Sequence, residues 1–377
     1  MTKSEPIRVL QVIGIMNQGG AEAMLMNLYR VIDRSKVRFD FVVNSEKEGF
    51  FDNEIRQLGG QIFHCPRFNG KNIVPYLKWW DAFLDDHPEY RIIHGHIGSS
   101  AALYLGCAKR HSRYTVAHSH NTNRYLSVRD YLFSVVSFPV RYIADFFLVC
   151  SSAAGLSRYG MKTVKAVNKC KLFPNAIETR NYQYSTFIRD KVRKSLGVEG
   201  NTFLIGHVGR LSKQKNHKFI LEIFQEIHRN DKNTKLVLVG DGELRSQIEN
   251  QIADKKLCDS VIMTGMRNDI NEIMQAFDLL LFPSLYEGLP VTLVEAQAAG
   301  LPCLISDTIP RDSILVSDLV TTYSLSRSAE EWAEKAEEVL QREEKRKDYV
   351  KEVYDAGFDV HKTAEWLTEF YLKNAGN

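Results

Sequence analysis

Short apolar runs alternate with amphipathic stretches along the whole of this 377-residue chain, and this alternation restricts the fold more than any other feature. Strands that are separated by helices build parallel sheets. The predicted strands of the first series are residues 9–13, 39–43, 61–64, 92–94, 114–118 and 146–150. Those of the second series are residues 204–208, 235–239, 261–264, 279–282 and 302–305. Two such series predict an α/β protein with two doubly wound, Rossmann-like domains.

The boundary between the two series is predicted at residues 171–177, which follow the sixth strand. A weakly periodic segment comes next, and a new helix begins near Phe187. We therefore predict an N-terminal domain of residues 1–178 and a C-terminal domain of residues 179–359, sizes that are ordinary for single domains. A final amphipathic helix is predicted over residues 360–372, with several aromatic side chains on one face.

The net charge of +3 conceals an asymmetry between the two halves. Through Arg180 the chain has 24 Lys and Arg against 15 Asp and Glu, a balance of +9, whereas the remainder has 25 against 31, a balance of −6. A basic half suggests an anionic partner, either an anionic membrane surface or a phosphate-bearing acceptor. A solvated surface with a chance imbalance is the alternative. No nucleic-acid recognition motif accompanies the charge, so nucleic acid is not an expected partner.

The cysteines and the apolar segments indicate the compartment. None of the six cysteines forms a C-x-x-C pair, so neither a zinc site nor a redox motif is predicted, and scattered thiols suit a reducing cytosol. No uninterrupted apolar stretch is long enough to cross a membrane, and the N-terminus lacks the pattern of a signal peptide. A cytoplasmic protein is expected, with possible peripheral binding at the inner face of the cell membrane.

The most informative motif is residues 282–302, FPSLYEGLPVTLVEAQAAGLP. It predicts the end of a buried strand, a Gly/Pro turn and a helix over residues 291–299. Glu287 lies in the turn and Glu295 in the helix. Two carboxylates and a helix N-terminus therefore stand at the carboxyl end of a strand, where open α/β sheets bind ligands, and the free amides of residues 288–291 can hold an anion. On spacing alone, an ordinary strand–turn–helix remains open.

Two further loops follow predicted strands. In the first domain, residues 14–22 read GIMNQGGAE, and their glycines allow close approach of a phosphate to the backbone. The pattern is not G-x-G-x-x-G, which argues against a dinucleotide site, and an ordinary turn remains the alternative. In the second domain, residues 209–216 read GRLSKQKN and place cations at a strand's carboxyl end, although a solvated basic loop has the same composition.

The spacing of Glu287 and Glu295, with Gly-Leu-Pro after the first, resembles the signature of retaining GT-B glycosyltransferases of family 4. The resemblance implies the GT-B fold, with two domains facing across a cleft and the C-terminal helix, residues 360–377, packed back on the first domain. It implies that Glu287 contacts the hydroxyls of the donor sugar and that Glu295 holds the nucleotide ribose. The intervening turn contributes Gly288, Leu289, Pro290 and Val291 to donor binding.

The other loops take their roles from the same resemblance. Gly19 and Gly20 are similar to a loop that reaches the donor diphosphate. Residues 209–216 resemble the family's diphosphate-binding Arg and Lys, which assigns that role to Arg210 and Lys215 and leaves Lys213 as a bystander.

The remaining assignments concern the nucleotide base and the histidines. The turn containing Gly242 is similar to the family's close approach to the nucleotide, and Met266 and Arg267 correspond to the segment that meets the base. His118 aligns with a histidine near the donor sugar, and His120 is assigned to the acceptor. The H-x-H pairs could ligate a metal. Because no D-x-D motif or carboxylate partner accompanies them, no metal and no cofactor are predicted.

The predicted function is transfer of a hexose or N-acetylhexosamine from a nucleotide diphosphate sugar, expected to be UDP-linked, to a hydroxyl of a glycan or lipid-linked acceptor. The reaction would retain the anomeric configuration, with His118, Arg210, Lys215 and Glu287 as the catalytic residues. Within the family, the sequence resembles bacterial enzymes of exopolysaccharide and capsule synthesis. The alternatives are a GT-B nucleotide-sugar epimerase or hydrolase, a Rossmann-type NAD dehydrogenase and a catalytically silent partner protein.

Overall fold

The computed structural model describes residues 5–17, 19–120, 128–198, 200–341 and 346–376, with the backbone alone at residues 128–130. The chain forms two compact units. The first contains Met1–Ile177 and Asp359–Asn377, and the second contains Glu178–Phe358. The predicted boundaries, after residues 178 and 359, each lie one residue from these divisions.

A seven-stranded parallel sheet forms the centre of the first unit, with the order β3-β2-β1-β4-β5-β6-β7. Its strands are β1 (Ile7–Ile13), β2 (Val37–Val43), β3 (Ile62–His64), β4 (Ile92–Gly95), β5 (Tyr114–Ser119), β6 (Phe146–Val149) and β7 (Cys170–Leu172). The second unit has a six-stranded parallel sheet, with the order β10-β9-β8-β11-β12-β13. Its strands are β8 (Phe203–Val208), β9 (Thr234–Val239), β10 (Val261–Gly265), β11 (Leu279–Phe282), β12 (Cys303–Ser306) and β13 (Val320–Tyr323). The prediction of two doubly wound parallel-sheet domains is confirmed.

Helices connect the strands of both units, as parallel pairing requires. In the first unit they are α1 (Gly20–Val31), α2 (Asp52–Gln57), α3 (Ile73–Asp86), α4 (Ala101–Arg110), α5 (Val128–Ser137), α6 (Val140–Ile143), α7 (Ser152–Tyr159) and α8 (Met161–Val164). In the second they are α9 (Thr186–Ser195), α10 (His217–Asn230), α11 (Arg245–Asp254), α12 (Ile270–Ala276), α13 (Val291–Ala298), α14 (Ala329–Leu340) and α15 (Val350–Val353). The last helix, α16 (Val360–Asn374), belongs to the first unit.

Two short edge strands, β7 and β13, were not predicted from the sequence. Each lies at an edge of its sheet, and its side chains are partly or fully exposed. An edge strand that faces solvent needs no continuous apolar run, so the hydrophobic pattern on which the other strands were predicted is missing here. The segment predicted to separate the domains therefore begins with the last strand of the first sheet.

The terminal helix α16 packs on the core of the first unit, as the resemblance implied. The chain enters it where Asp359 pairs with Ile177, and the Asp359 carboxylate caps the helix by accepting hydrogen bonds from the amides of His361 and Lys362. Its buried face joins the hydrophobic cluster around β1 and β2. Among these side chains, Phe370 lies 4.8 Å from the ring of Phe146.

Both sheets reverse their strand order at one point, between β1 and β4 in the first unit and between β8 and β11 in the second. Open α/β sheets bind ligands at such switch points, outside the carboxyl ends of the strands. Strand order therefore selects the loops after β1, β4, β8 and β11 as candidate binding elements. Within the described residues, no helix is both long enough and apolar enough to cross a membrane.

Candidate active site

The switch point of the second unit joins a cation and a carboxylate from two loops. Lys215, in the loop after β8, places its Nζ 2.8 Å from Oε1 of Glu287, in the loop after β11. The two side chains are only 13% and 7% exposed. The Lys215 ammonium also lies 4.7 Å from the centre of the Phe282 ring. Since a buried charge is costly without a partner, this pair fixes both groups at the carboxyl edge of the sheet.

Gln214 ties the two loops together, and the sequence did not identify it. Its side-chain amide donates to Oε2 of Glu287 at 3.0 Å and to the carbonyl of Tyr286 at 2.9 Å. The backbone adds a bond from the amide of Leu285 to the carbonyl of Gln214. Gln214 occupies a variable position of the motif G-R-x-x-x-x-K-N, so no sequence signal marks it. Its contacts orient Glu287 independently of Lys215.

Arg210 is placed differently from Lys215, although both were predicted to bind the diphosphate. Its side chain is 73% exposed, and its Nε donates to Oε2 of Glu243 at 3.2 Å. An exposed pair of this kind is weak and exchanges readily with water or another anion. The guanidinium can therefore leave Glu243 for a ligand with little loss of free energy. Its role toward the diphosphate stays a prediction.

The helix that follows Glu287 presents its N-terminus at the same edge. Helix α13 begins at Val291, and its N-cap is Pro290, which supplies no side-chain cap. Leu289 and Pro290 are buried, whereas Gly288 and Val291 are half-buried. The first amides of a helix lack intrahelical partners and carry the positive end of its dipole, so this turn can accept an anion.

Glu295 lies one turn into α13, and its carboxylate is held by a residue that the sequence did not identify. The hydroxyl of Tyr182 donates to its Oε1 at 2.7 Å. Burial raises the pKa of Glu295 above the ordinary range, and the hydrogen bond from Tyr182 opposes this rise. Tyr182 lies before α9 in the sequence, and 113 residues separate it from Glu295.

The glycine turn after β9 packs against the loop that carries Arg210. A Cβ at Gly242 would lie 2.5 Å from the carbonyl oxygen of Leu211, and one at Gly240 would lie 2.1 Å from that of Gly209. Gly240 also has φ of +133°, which favours glycine. These glycines therefore permit contact between two backbone loops, and the predicted approach of Gly242 to a nucleotide stays a prediction.

The segment predicted to bind the base begins directly after β10, which ends at Gly265. Met266 is 55% exposed. The side chain of Arg267 is engaged with Asp269, to whose Oδ1 its Nε donates at 2.8 Å, and this hydrogen bond lowers the pKa of Asp269. A base contact at this position would therefore fall to the backbone or to Met266 more readily than to the guanidinium of Arg267.

The glycine-rich loop of the first unit leads directly into α1. Gly19 is the N-cap in extended conformation, and Gly20 is the first helical residue. A Cβ at Gly19 would lie 2.2 Å from Oε2 of Glu22, whereas one at Gly20 would meet no atom within 4 Å. Burial raises the pKa of Glu22. Because the Glu22 carboxylate is the far end of a flexible side chain, local packing requires glycine at neither position, and the diphosphate role of both stays a prediction.

Four histidines cluster at the carboxyl ends of β4 and β5. Nδ1 of His94 shares a 2.6 Å hydrogen bond with the hydroxyl of Tyr371 on α16, and His96 bonds both Gln11 and His120, at 2.9 and 2.8 Å. His118 stacks on His94 with ring centres 5.3 Å apart. The terminal helix thus contributes directly to this edge of the first sheet.

Burial favours the neutral form of these imidazoles. Burial lowers the pKa of His94 to about 3 and that of His120 to about 4, and it holds the pKa of His96 and His118 well below the usual value. Both ring nitrogens of His118 are buried, and neither makes a hydrogen bond of standard geometry to the described residues. Ring nitrogens of His94, His96 and His118 lie within 4.8 Å of one another, so a metal is chemically possible, and its predicted absence stays a prediction.

Comparison with solved structures places the two sheets in the GT-B fold. HepE from Anabaena, in complex with UDP and glucose, matches with a TM-score of 0.78 at 19% identity, over 97% of this chain and 99% of HepE. WaaG, a glycosyltransferase involved in lipopolysaccharide biosynthesis, matches with a TM-score of 0.73 at 16% identity, over 96% of this chain and 99% of WaaG. The predicted fold class is confirmed.

Sequence comparison then identifies the family. A model described as glycosyl transferases group 1 matches residues 188–356. The chain is 33% identical to the putative glycosyltransferase EpsF of Bacillus subtilis (strain 168) over 375 residues, which are 97% of this chain and 96% of EpsF. It is 23% identical to the capsular polysaccharide biosynthesis glycosyltransferase CapH of Staphylococcus aureus, over 97% of this chain and 99% of CapH. The chain belongs to the glycosyl transferases group 1 family and is a glycosyltransferase.

Proposed function

We propose that this protein transfers a hexose or N-acetylhexosamine from a UDP-sugar to a hydroxyl of a glycan or lipid-linked acceptor, with retention at the anomeric carbon, in the synthesis of a cell-surface polysaccharide. The observation that carries this proposal is the Lys215–Glu287 pair at the switch point of the second sheet. The relatives EpsF and CapH, and the complex of HepE with UDP and glucose, support the reaction class and the UDP-linked donor.

The chemistry that this site must supply is stabilisation of charge. When the glycosidic bond breaks, negative charge develops on the departing diphosphate. Lys215 and the N-terminus of α13 are fixed beside Glu287, and Arg210 can leave its exposed partner, so all three can offset that charge. Glu287 would bind the sugar hydroxyls, and Glu295 would accept hydrogen bonds from the ribose. No covalent nucleophile is assigned, because the departing phosphate can take the acceptor proton.

The donor proposal is tested by a thermal-shift screen of nucleotides and nucleotide sugars, because a ligand that binds the folded state raises Tm. We expect UDP and one or more UDP-sugars to raise Tm, and NAD to leave it unchanged. Product analysis then separates transfer from its alternative. An epimerase or a hydrolase would convert the donor without an acceptor, whereas a transferase needs the acceptor for turnover. The anomeric configuration of the product, read by NMR, tests retention.

We expect transfer to continue in EDTA. Lys215, Arg210 and the helix N-terminus supply positive charge beside the diphosphate, so a divalent ion is not needed for that purpose. The rate of transfer is measured before and after dialysis against chelator. Loss of activity that Mn²⁺ or Mg²⁺ restores would contradict the metal-free mechanism.

The proposed membrane contact is an apolar surface on α5 and the residues that follow it, which we call the α5 face. It consists of the exposed side chains Tyr131, Leu132, Val135, Phe138 and Tyr142, which are 49–78% exposed. Arg141 adds a cation, with its guanidinium 3.9 Å from the centre of the Phe138 ring. Exposed aromatic and aliphatic side chains beside cations are typical of interfacial membrane binding.

The sequence basis of the membrane hypothesis is the stretch of residues 124–147, in which Arg124, Arg129 and Arg141 alternate with aromatic and aliphatic side chains. Phe133 packs on Phe68 with ring centres 5.9 Å apart, and Phe146 packs on Phe370, so both are half-buried. Arg124 and Tyr125 lie outside the described residues, as does the side chain of Arg129. The α5 face keeps Leu132 and Phe138 of the set predicted from the sequence and adds Tyr131, Val135 and Tyr142.

We expect the protein to float with vesicles of phosphatidylglycerol and to remain in solution with phosphatidylcholine alone. Each basic residue near an anionic surface contributes about 1 kcal/mol, and apolar side chains add to this. Leu132→Ser with Val135→Ser should lower the bound fraction several-fold, whereas Val167→Ser, at an exposed apolar position in the loop before β7, should leave it unchanged. Equal partitioning onto both lipids, or onto neither, would contradict the proposal.

A further inference from the structure

Two neighbouring strands of the first sheet bring three histidines together. β4 and β5 pair in parallel, with His94 opposite Val116, so residues two apart on each strand share one face of the sheet. One ring nitrogen from each of His94, His96 and His118 lies within 4.8 Å of the other two. His94 and His118 are 1% and 2% exposed, whereas His96, directly after β4, is half-buried. Solvent therefore reaches the group through His96.

Two of these imidazoles are oriented by partners in a way that is typical of metal-binding histidines. Nδ1 of His94 shares its hydrogen bond with the hydroxyl of Tyr371, and Nε2 of His96 bonds Oε1 of Gln11. Gln11 also donates to the Tyr371 hydroxyl at 3.3 Å, so the two partners support each other. Such outer partners hold one ring nitrogen and leave the other for an ion. Nε2 of His94 is buried and makes no hydrogen bond of standard geometry to the described residues.

Three imidazoles are a ligand set for zinc. Zn²⁺ binds three histidines and keeps a fourth position for water, whereas Mg²⁺ and Ca²⁺ require oxygen ligands. The sequence predicted no metal because no carboxylate accompanies the H-x-H pairs, but a three-histidine zinc site needs none. With Zn–N bonds of about 2.0–2.1 Å, a tetrahedral ion needs nitrogens about 3.3–3.4 Å apart, so the rings must turn to bind it. Rotation of an imidazole about its second torsion angle is soft.

We propose that His94, His96 and His118 bind a Zn²⁺ ion and that the bound ion inhibits sugar transfer. The inhibition rests on the proposed function, in which His118 acts beside the donor sugar. A nitrogen of His118 that is bonded to zinc is not available to that substrate. The ion is an inhibitor and not a cofactor, so the expectation that transfer continues in EDTA is unchanged.

The first test measures binding of Zn²⁺ to the metal-free protein by calorimetry, with Mg²⁺ as the comparison ion. We expect Zn²⁺ to bind and Mg²⁺ not to bind. Tyr371→Phe deletes only the hydroxyl that orients His94 and should weaken Zn²⁺ binding by about 10–100-fold, the usual effect of losing an outer partner. His96→Gln removes a ligand and should weaken it further. Tm is measured for both variants, because each changes a polar group in or beside the core.

The matched control is His111→Ala. His111 is a histidine at the surface whose ring nitrogens lie 3.1 and 3.3 Å from carboxylate oxygens of Asp81 and Asp85, an arrangement that could hold zinc adventitiously. Its removal should leave the Zn²⁺ affinity at the wild-type value. A second readout is Co²⁺, whose visible absorption reports tetrahedral coordination and should be lost in His96→Gln. Equal Zn²⁺ affinity in wild type, Tyr371→Phe and His96→Gln would overturn the site.

The second test measures transfer at increasing free Zn²⁺, starting from protein in EDTA. We expect Zn²⁺ to inhibit the wild type, and Tyr371→Phe to require about 10–100-fold more Zn²⁺ for the same inhibition. Zinc that binds at this site without inhibiting transfer would overturn the regulatory part of the proposal. If Zn²⁺ binds as expected but no UDP-sugar is used even in EDTA, the proposed function fails and the zinc site stands.

Discussion

Replacing Lys215 by alanine is expected to lower kcat for sugar transfer by about 10²–10³-fold, the usual effect of removing a preorganised charge-stabilising group. The ammonium is fixed by Glu287 and by the face of Phe282, so it needs little rearrangement to meet the developing charge. Arg210→Ala is expected to have an effect of the same order, although Arg210 must first leave Glu243. Steady-state kinetics with saturating donor and acceptor measures both.

Two controls separate catalysis from folding. Lys215→Ala leaves Glu287 as a largely buried carboxylate without its cation, which is destabilising, so Tm is measured beside kcat. The double variant Lys215→Ala, Glu287→Gln removes both charges and should recover Tm without recovering activity. Lys213→Ala removes an exposed cation from the same loop and should keep kcat within about twofold. Near wild-type kcat in both Lys215→Ala and Arg210→Ala would refute the diphosphate assignment.

Replacing Glu295 by alanine is expected to raise the donor KM by about 10–100-fold with a small effect on kcat, because ribose contacts are made equally in the ground state and the transition state. In its proposed role, the Glu295 carboxylate must be ionised to accept hydrogen bonds from two ribose hydroxyls. Burial raises the pKa of Glu295, so donor affinity should decline as the pH falls, beginning at a higher pH than an ordinary glutamate with a pKa of about 4.3 would give.

The hydroxyl of Tyr182 determines where that decline begins. Its hydrogen bond lowers the pKa of Glu295, so Tyr182→Phe should raise that pKa further and move the loss of donor affinity to higher pH. Dissociation constants of the UDP-sugar across the acidic range measure the shift. Glu295→Gln cannot titrate and should show a flat profile, and Tyr184→Phe is a matched hydroxyl deletion nearby. An identical profile in Tyr182→Phe and wild type would contradict this role of Glu295.

The strands of both sheets could be predicted because most are buried on both faces and read as continuous apolar runs. The edge strands β7 and β13 could not be predicted, because polar side chains interrupt their apolar pattern. These are Lys171 in β7 and Thr321 and Thr322 in β13, which are exposed or half-buried. The sequence indicates the location of the candidate site for a related reason. In a parallel sheet, the loops that follow the strands all lie at the carboxyl edge. Motifs that follow strands of the same sheet must therefore share that edge.

By itself, the sequence determined the two parallel-sheet units, the loops that carry the candidate site and the family, because each of these depends on local periodicity and short motifs. Only the tertiary structure decided which side chains meet. Lys215 pairs with Glu287 across 72 residues, and Tyr371 reaches His94 across 277. Side-chain partners depend on packing between distant elements, and so do the desolvation and the pKa values that follow from it. No local pattern in the chain records those contacts.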